Sequence, residues 1–107
     1  MIIAIASTGG TINSKLDKRF ARCSFFALYN TISGEINFIK NFCQTMDKDA
    51  GLAVVECLHK MNVKKIISGE FGIKIKEFMD NYNIQMIIMP EQNQTINEIV
   101  KLLKANK

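Results

Sequence analysis

The order of apolar patterns along the chain predicts an α/β fold, a three-layer α/β/α sandwich with helices packed on both faces of a mixed sheet. Three observations carry this. The patterned segments run strand, strand, strand, helix, strand, helix, strand, helix. Two strand–helix–strand units in that order make the third, fourth and fifth strands parallel, with right-handed crossovers, while a hairpin makes the second strand antiparallel. The 107 residues, 48% hydrophobic and 22% charged, suit one globular domain over residues 1–107 and leave no linker.

Ile2-Ile3-Ala4-Ile5-Ala6 is a short, continuous apolar run, as expected of a strand buried on both faces. Ser7-Thr8-Gly9-Gly10-Thr11 ends it, and a polar stretch follows through Arg22. Phe25 to Tyr29 reads as the second strand. The turn Thr31-Ile32-Ser33-Gly34 leads into a third, mixed strand from Glu35 to Asn41, where Lys40 suits a sheet edge. From Asp47 the period changes: Ala50, Val54, Cys57, Leu58 and Met61 fall on one helical stripe, with Asp47 and Asp49 placed to complement its N-terminus. Val63 to Ser68 is the fourth strand, ended by Gly69. Phe71, Ile75, Phe78, Met79 and Tyr82 form a second helical stripe, and Ile84 to Met89 a fifth strand stopped by Pro90. Thr95-Ile96-Asn97-Glu98 is a capping box, opening a helix with Ile96, Ile99, Val100 and Leu103 inward. Helices from successive crossovers are expected to cover both faces of the sheet.

Fourteen Lys and Arg against ten Asp and Glu leave a net charge of +4, too mild to imply a nucleic-acid partner. The first apolar run is five residues, too short for a signal peptide or a membrane span, so a cytoplasmic protein without membrane association is expected. Three cysteines without a CxxC pair argue against a disulfide framework or a four-cysteine zinc site and suit free thiols. Cys57 lies on its helix's apolar stripe and is expected in the core, and His59, two residues on, is expected to face solvent. The methionines fall mainly on apolar stripes and strands, where they fill core.

In such a sheet, ligands bind beyond the carboxyl ends of the strands, where strand order reverses. With the first strand central, the exits there are Ser7-Thr8-Gly9-Gly10 and Ser68-Gly69-Glu70-Phe71-Gly72. The second strand begins at this edge, bringing Arg19, Arg22 and Cys23, and the third ends there, bringing Cys43. Taken singly, each feature has a plain structural reading. Gly9-Gly10 matches no phosphate-loop pattern and serves as a turn; the basic run Lys15, Lys18, Arg19, Arg22 serves as a solvated loop; Cys23 and Cys43 serve as small buried apolar groups. No GxSxG, HExxH or Walker loop occurs, and the first and fourth strands carry none of the carboxylates a two-metal nuclease needs, which disfavours an enzyme.

Segments from Met1 to about Lys104 resemble the dinitrogenase iron–molybdenum cofactor biosynthesis family, the small NifX-like domains. The resemblance rests on Ile3-Ala4-Ile5-Ala6-Ser7 with Gly9-Gly10, on Lys18-Arg19-Phe20-Ala21-Arg22-Cys23-Ser24-Phe25-Phe26, on Ser33-Gly34-Glu35, on Gly51-Leu52-Ala53 and on Ile67-Ser68-Gly69-Glu70-Phe71-Gly72. It implies a ribonuclease-H-like fold of sheet order 3-2-1-4-5 with the second strand antiparallel. It also implies a non-enzymatic protein that binds or carries an iron–sulfur-type cluster, iron–molybdenum or iron-only, or a precursor. Its partners would be cluster donor and acceptor proteins, and the chain a monomer or weak homodimer. On this reading Cys23 and Cys43 supply thiolates to the metal. Arg19 and Arg22 offset the cluster's negative charge and lower the thiol pKa values. Ser7, Gly9, Gly10, Ser68, Gly69 and Gly72 shape the two loops, whose N–H groups at Gly9-Gly10 and Gly69-Glu70 form an anion nest. The alternatives are an anion- or nucleotide-binding regulatory domain without metal, or a ribonuclease-H-like hydrolase.

Overall fold

The computed structural model of the chain describes residues 1–90 and 93–105. Five strands form one sheet in the order β3-β2-β1-β4-β5. They are β1 (Ile2–Ser7), β2 (Phe25–Asn30), β3 (Ile36–Lys40), β4 (Val63–Ser68) and β5 (Gln85–Ile88), with helices α1 (Ala50–Lys60), α2 (Ile75–Asn81) and α3 (Ile96–Ala105). β1 pairs antiparallel with β2 from Ile2↔Asn30 to Ser7↔Phe25 and parallel with β4, so the most apolar strand is central. β2 pairs antiparallel with β3, and β4 parallel with β5.

The side-chain period of two splits β1 between two cores. Ala4 and Ala6, with Phe26 and Ile66, meet Val54, Val55 and Leu58 of α1 and Ile75 and Met79 of α2. Ile3 and Ile5, with Ala27, Tyr29 and Ile67, meet Ile96, Ile99 and Val100 of α3 on the opposite face. Burying one such side chain contributes roughly 1.5–3 kcal/mol. The layer assignment differs in one respect from the expectation that successive crossover helices take opposite faces: α1 and α2 share a face, and α3 alone covers the other. From β3 to β4 and from β4 to β5 the chain moves across the sheet in the same direction, so two right-handed crossovers put both helices on one side.

α2 begins at Ile75 rather than at Phe71. The Glu70 N–H is held by the Lys18 carbonyl at 2.9 Å, and Glu70 bridges Arg19, which keeps this stretch extended before the helix turns. At α3 the capping box forms as expected: the Thr95 N–H donates to Glu98 Oε1 at 3.0 Å, and the Glu98 N–H donates to Thr95 Oγ1 at 3.1 Å.

Cys57 is not in the core. The buried stripe of α1 is Ala50, Val54, Val55 and Leu58, and Cys57 lies on its flank, exposed beside the end of edge strand β3, beyond which no further strand among the described residues covers the helix. Met1, Met46 and Met61 are likewise exposed, because they fall on a terminus, a loop and a helix end. His59 faces outward as expected, its ring 4.5 Å from that of Tyr82.

Candidate functional site

The segment after β1 decides what the strand ends can offer. It turns through Gly9-Gly10, then Leu16 bridges back to Ser7. From there the chain runs across the ends of β1 and β4. The Asp17 N–H donates to the Ala6 carbonyl (2.8 Å), and the Gly69 and Glu70 N–H groups donate to the carbonyls of Asp17 (3.2 Å) and Lys18 (2.9 Å). Residues 16–19 therefore occupy the point where strand order reverses. The Ser68 hydroxyl lies 3.3, 3.2 and 3.1 Å from the carbonyl oxygens of Asp17, Lys18 and Glu70, and the Ser7 hydroxyl donates to the Gly9 carbonyl at 2.7 Å. Both serines are buried: Ser68 stitches the crossing segment down and Ser7 holds the turn at Gly9, and neither faces a ligand. The expected nest at Gly69-Glu70 is corrected on the same ground: its N–H groups are already used by the chain itself.

Beyond the crossing segment lies a cleft of about 430 Å³. One wall is Arg19 to Arg22, the opposite wall the first turn of α1 at Ala50, Gly51 and Leu52, and the end is closed by Glu70 to Gly72 and the start of α2. Phe20, itself buried, packs its ring 5.2 Å from that of Phe71 and 6.0 Å from that of Phe26, giving a stiff apolar floor. Arg19, Arg22 and Lys74 line the cleft against Asp49 and Glu70. Asp17, nearly buried, accepts from the Arg19 N–H (2.9 Å) and Nε (3.4 Å), which leaves the outer guanidinium nitrogens of an exposed side chain to reach outward. Arg22 donates from Nη1 to the Gln44 (3.0 Å) and Met46 carbonyls, so it carries its charge unneutralised while fixing the 41–46 loop. Asp49 takes a left-handed conformation at the N-cap of α1 and makes no side-chain cap. The first turn of this eleven-residue helix lines the cleft at the positive end of its dipole, with no side-chain cap on its N–H groups. Three cations against two carboxylates, a helix N-terminus and an aromatic floor are the chemistry this cleft presents.

Of the residues expected at the site, Arg19, Arg22 and Gly72 come together in this cleft. Gly69 lines a separate hollow of about 250 Å³ with Thr8, Lys15 and Lys18. Gly10 packs against the Phe25 ring and Gly9 against Ser14, away from the cleft. Lys74, Gly51, the open start of α1 and the phenylalanine floor were not singled out from the sequence as ligand contacts. No signal in the sequence pointed to the open start, because Asp49 is a favoured N-cap residue and only the structure shows it making no side-chain cap.

The thiols do not join it. Cys23 is 0% exposed, its Sγ donates to the Phe20 carbonyl, and its pKa is pushed up to about 12, chiefly by burial and then by the Asp17 charge. Cys43 is half-buried, and its thiol is raised by burial and by the neighbouring Cys57. The expectation that the arginines lower these pKa values is thus reversed, because desolvation outweighs cations that point elsewhere. As folded, Cys23 offers no thiolate to the cleft. Among the described residues, no three or more His, Cys, Asp or Glu side chains are grouped to hold a metal ion. No helix among them is long and apolar enough to cross a membrane.

Residues 1–106 match the family model described as dinitrogenase iron-molybdenum cofactor. No curated protein matches the sequence. Among solved structures, the chain is similar to the apo form of the orange protein from Desulfovibrio gigas, at 20% identity over 98% of this chain and 88% of that one, with a TM-score of 0.89. It is also similar to a Thermotoga protein assigned as NifB (25% identity, 97% and 87% covered, TM-score 0.82). A third similar structure is a Methanocaldococcus jannaschii protein assigned as a dinitrogenase (17%, 99% and 89%, 0.64).

Proposed function

Because the chain belongs to the dinitrogenase iron–molybdenum cofactor family, we propose that it is a non-enzymatic carrier whose cargo is an anionic iron–sulfur-type cluster, iron–molybdenum or iron-only, or a precursor. The cargo rests in the 430 Å³ cleft between Arg19–Arg22 and the first turn of α1. The observation that carries this reading is the donor set. Arg19, Arg22 and Lys74 converge with open helix N–H groups on an aromatic floor, while Cys23 stays a protonated core thiol. Such a set grips an anion by charge and hydrogen bonds to its outer sulfur atoms, without a covalent metal bond that would have to break on delivery.

Ease of release suits a protein that exchanges its cargo with donor and acceptor proteins of cofactor assembly. A hydrolase reading has less support, since β1 and β4 themselves carry no carboxylate and Asp17, which lies across their ends, is nearly buried and engaged by Arg19. The test is anaerobic purification followed by iron, molybdenum and sulfide analysis and an absorption spectrum. The parent protein is expected to carry metal with acid-labile sulfide, or to take it up from a soluble iron–sulfide or thiomolybdate anion. Arg19→Ala and Lys74→Ala should each weaken uptake about tenfold, the equivalent of one charge-assisted hydrogen bond of about 1.4 kcal/mol. A parent that stays metal-free with both anions, yet binds inorganic phosphate through Arg19, would replace the carrier with a metal-free regulatory domain.

A further inference from the structure

A second cleft lies on the far side of the 41–46 loop, between the end of β3 and the last two turns of α1. It encloses about 180 Å³, and Cys43, Cys57 and Met61 all line it. Cys57 lies in the last turn of α1 and Met61, four positions on, is the C-cap residue of the same helix, and both face this cleft. Cys43 approaches from the strand side. It lines the same small cleft as Cys57 and Met61. The remaining wall is mainly aliphatic and aromatic, with Lys40 its one charged residue, no carboxylate, and Asn41 its one polar amide, already engaged with the backbone of Ala21, Cys23 and Cys43.

We propose that Cys43, Cys57 and Met61 form a binding site for one soft monovalent cation of the copper(I) class, separate from the anion cleft. Thiolate and thioether donors select soft d¹⁰ ions, and a wall without carboxylate oxygens gives hard cations such as magnesium or calcium nothing to bind. Zinc sites draw on at least three nitrogen, oxygen or thiolate donors from the protein, and only two thiols are present here. On binding, the metal keeps its oxidation state. Each thiol releases one proton to solvent, two metal–thiolate bonds form, and the Met61 sulfur adds a neutral third donor. The resulting bis-thiolate complex carries one negative charge, which Lys40 offsets. The loop bearing Cys43 is held in place by Arg22 and Asn41, so the donor is fixed before the metal arrives.

The test is an anaerobic titration of the full-length reduced chain with copper(I) held by bicinchoninate. One equivalent per chain is expected to move to the protein, with thiolate-to-copper absorption appearing in the ultraviolet. Cys43→Ser and Cys57→Ser should each weaken binding by more than about 100-fold, beyond the usual cost of losing an outer-shell partner, and Met61→Leu by about 10-fold. Cys57 is exposed, so Cys57→Ser keeps the fold, which an unchanged thermal melt verifies. Arg19→Ala, which disables the anion cleft, should bind copper(I) as the parent does, so this site and the carrier reading fail or stand separately. Copper(I) left with bicinchoninate, or a Cys57→Ser variant that binds like the parent, would overturn the proposal.

Discussion

Asn41 joins the two loops that frame the candidate site. Its Nδ2 donates to the carbonyls of Ala21 and Cys23, both at 2.9 Å, and its Oδ1 accepts from the Cys43 N–H at 3.0 Å, in a setting only 6% exposed. Asn41→Ala strands these groups in the interior, and chemical denaturation should register a loss of about 1–3 kcal/mol. The three thiols should separate by reactivity. An aromatic disulfide reagent is expected to modify Cys57 first and Cys43 more slowly, and to reach Cys23 only as the chain unfolds, given its burial and a pKa of about 12. Rapid modification of Cys23 in the folded protein would contradict its placement. Only part of this ordering was legible in the sequence. Taken singly, Cys23 reads as a small buried apolar group, as it is, whereas its place in a basic run suggests a reactive thiol and Cys57, on an apolar stripe, looks buried. Burial depends on what packs over each position, and a stripe at a sheet edge loses its cover on one flank.

At the scale of elements, strands and helices were legible because their periods are imposed by the two cores they bury. Residues 15–19 were not. Their side chains, polar except for Leu16, carry no period, and what places them is backbone hydrogen bonding to Ala6 and to Gly69 and Glu70, some fifty residues downstream. That crossing depends on Gly69. A Cβ there would sit 2.8 Å from Lys18 Cα, a backbone atom that moves only with its segment, whereas at Gly72 it would sit 3.6 Å from Ile75 Cγ1, an ordinary contact. Gly69→Ala is expected to lower stability by roughly 1–3 kcal/mol and Gly72→Ala to change it little, both read from denaturation midpoints. The cap of α3 carries a pH signature. The Thr95 N–H and hydroxyl hold the Glu98 carboxyl below the usual glutamate range. The unfolded chain therefore takes up this proton more readily than the folded one. The contribution is complete above the unfolded glutamate pKa and is lost as pH falls through the lower folded value. Glu98→Gln should flatten that part of the acid limb in pH-dependent melting.

For the molecule as a whole, strand order places the site and the crossing segment moves it. With β1 central, the ends of β1 and β4 open where order reverses, as the apolar pattern of Ile2 to Ala6 and the family resemblance led one to expect. Residues 16–19 then cover that opening and shift the receptive surface toward α1 and α2, where Lys74 and an uncapped helix start replace the anticipated glycine nest and thiols. The central claim is that this displaced cleft, held by charge rather than thiolate, takes the cargo. It is tested most directly by mapping backbone amide shifts of the labelled chain as a diamagnetic thiomolybdate anion is added. The account predicts saturable shifts confined to Arg19–Arg22, Ala50–Leu52 and Glu70–Ile75, and their loss in Arg19→Ala. Shifts centred instead on Thr8–Gly10, or none anywhere in the chain, would contradict it.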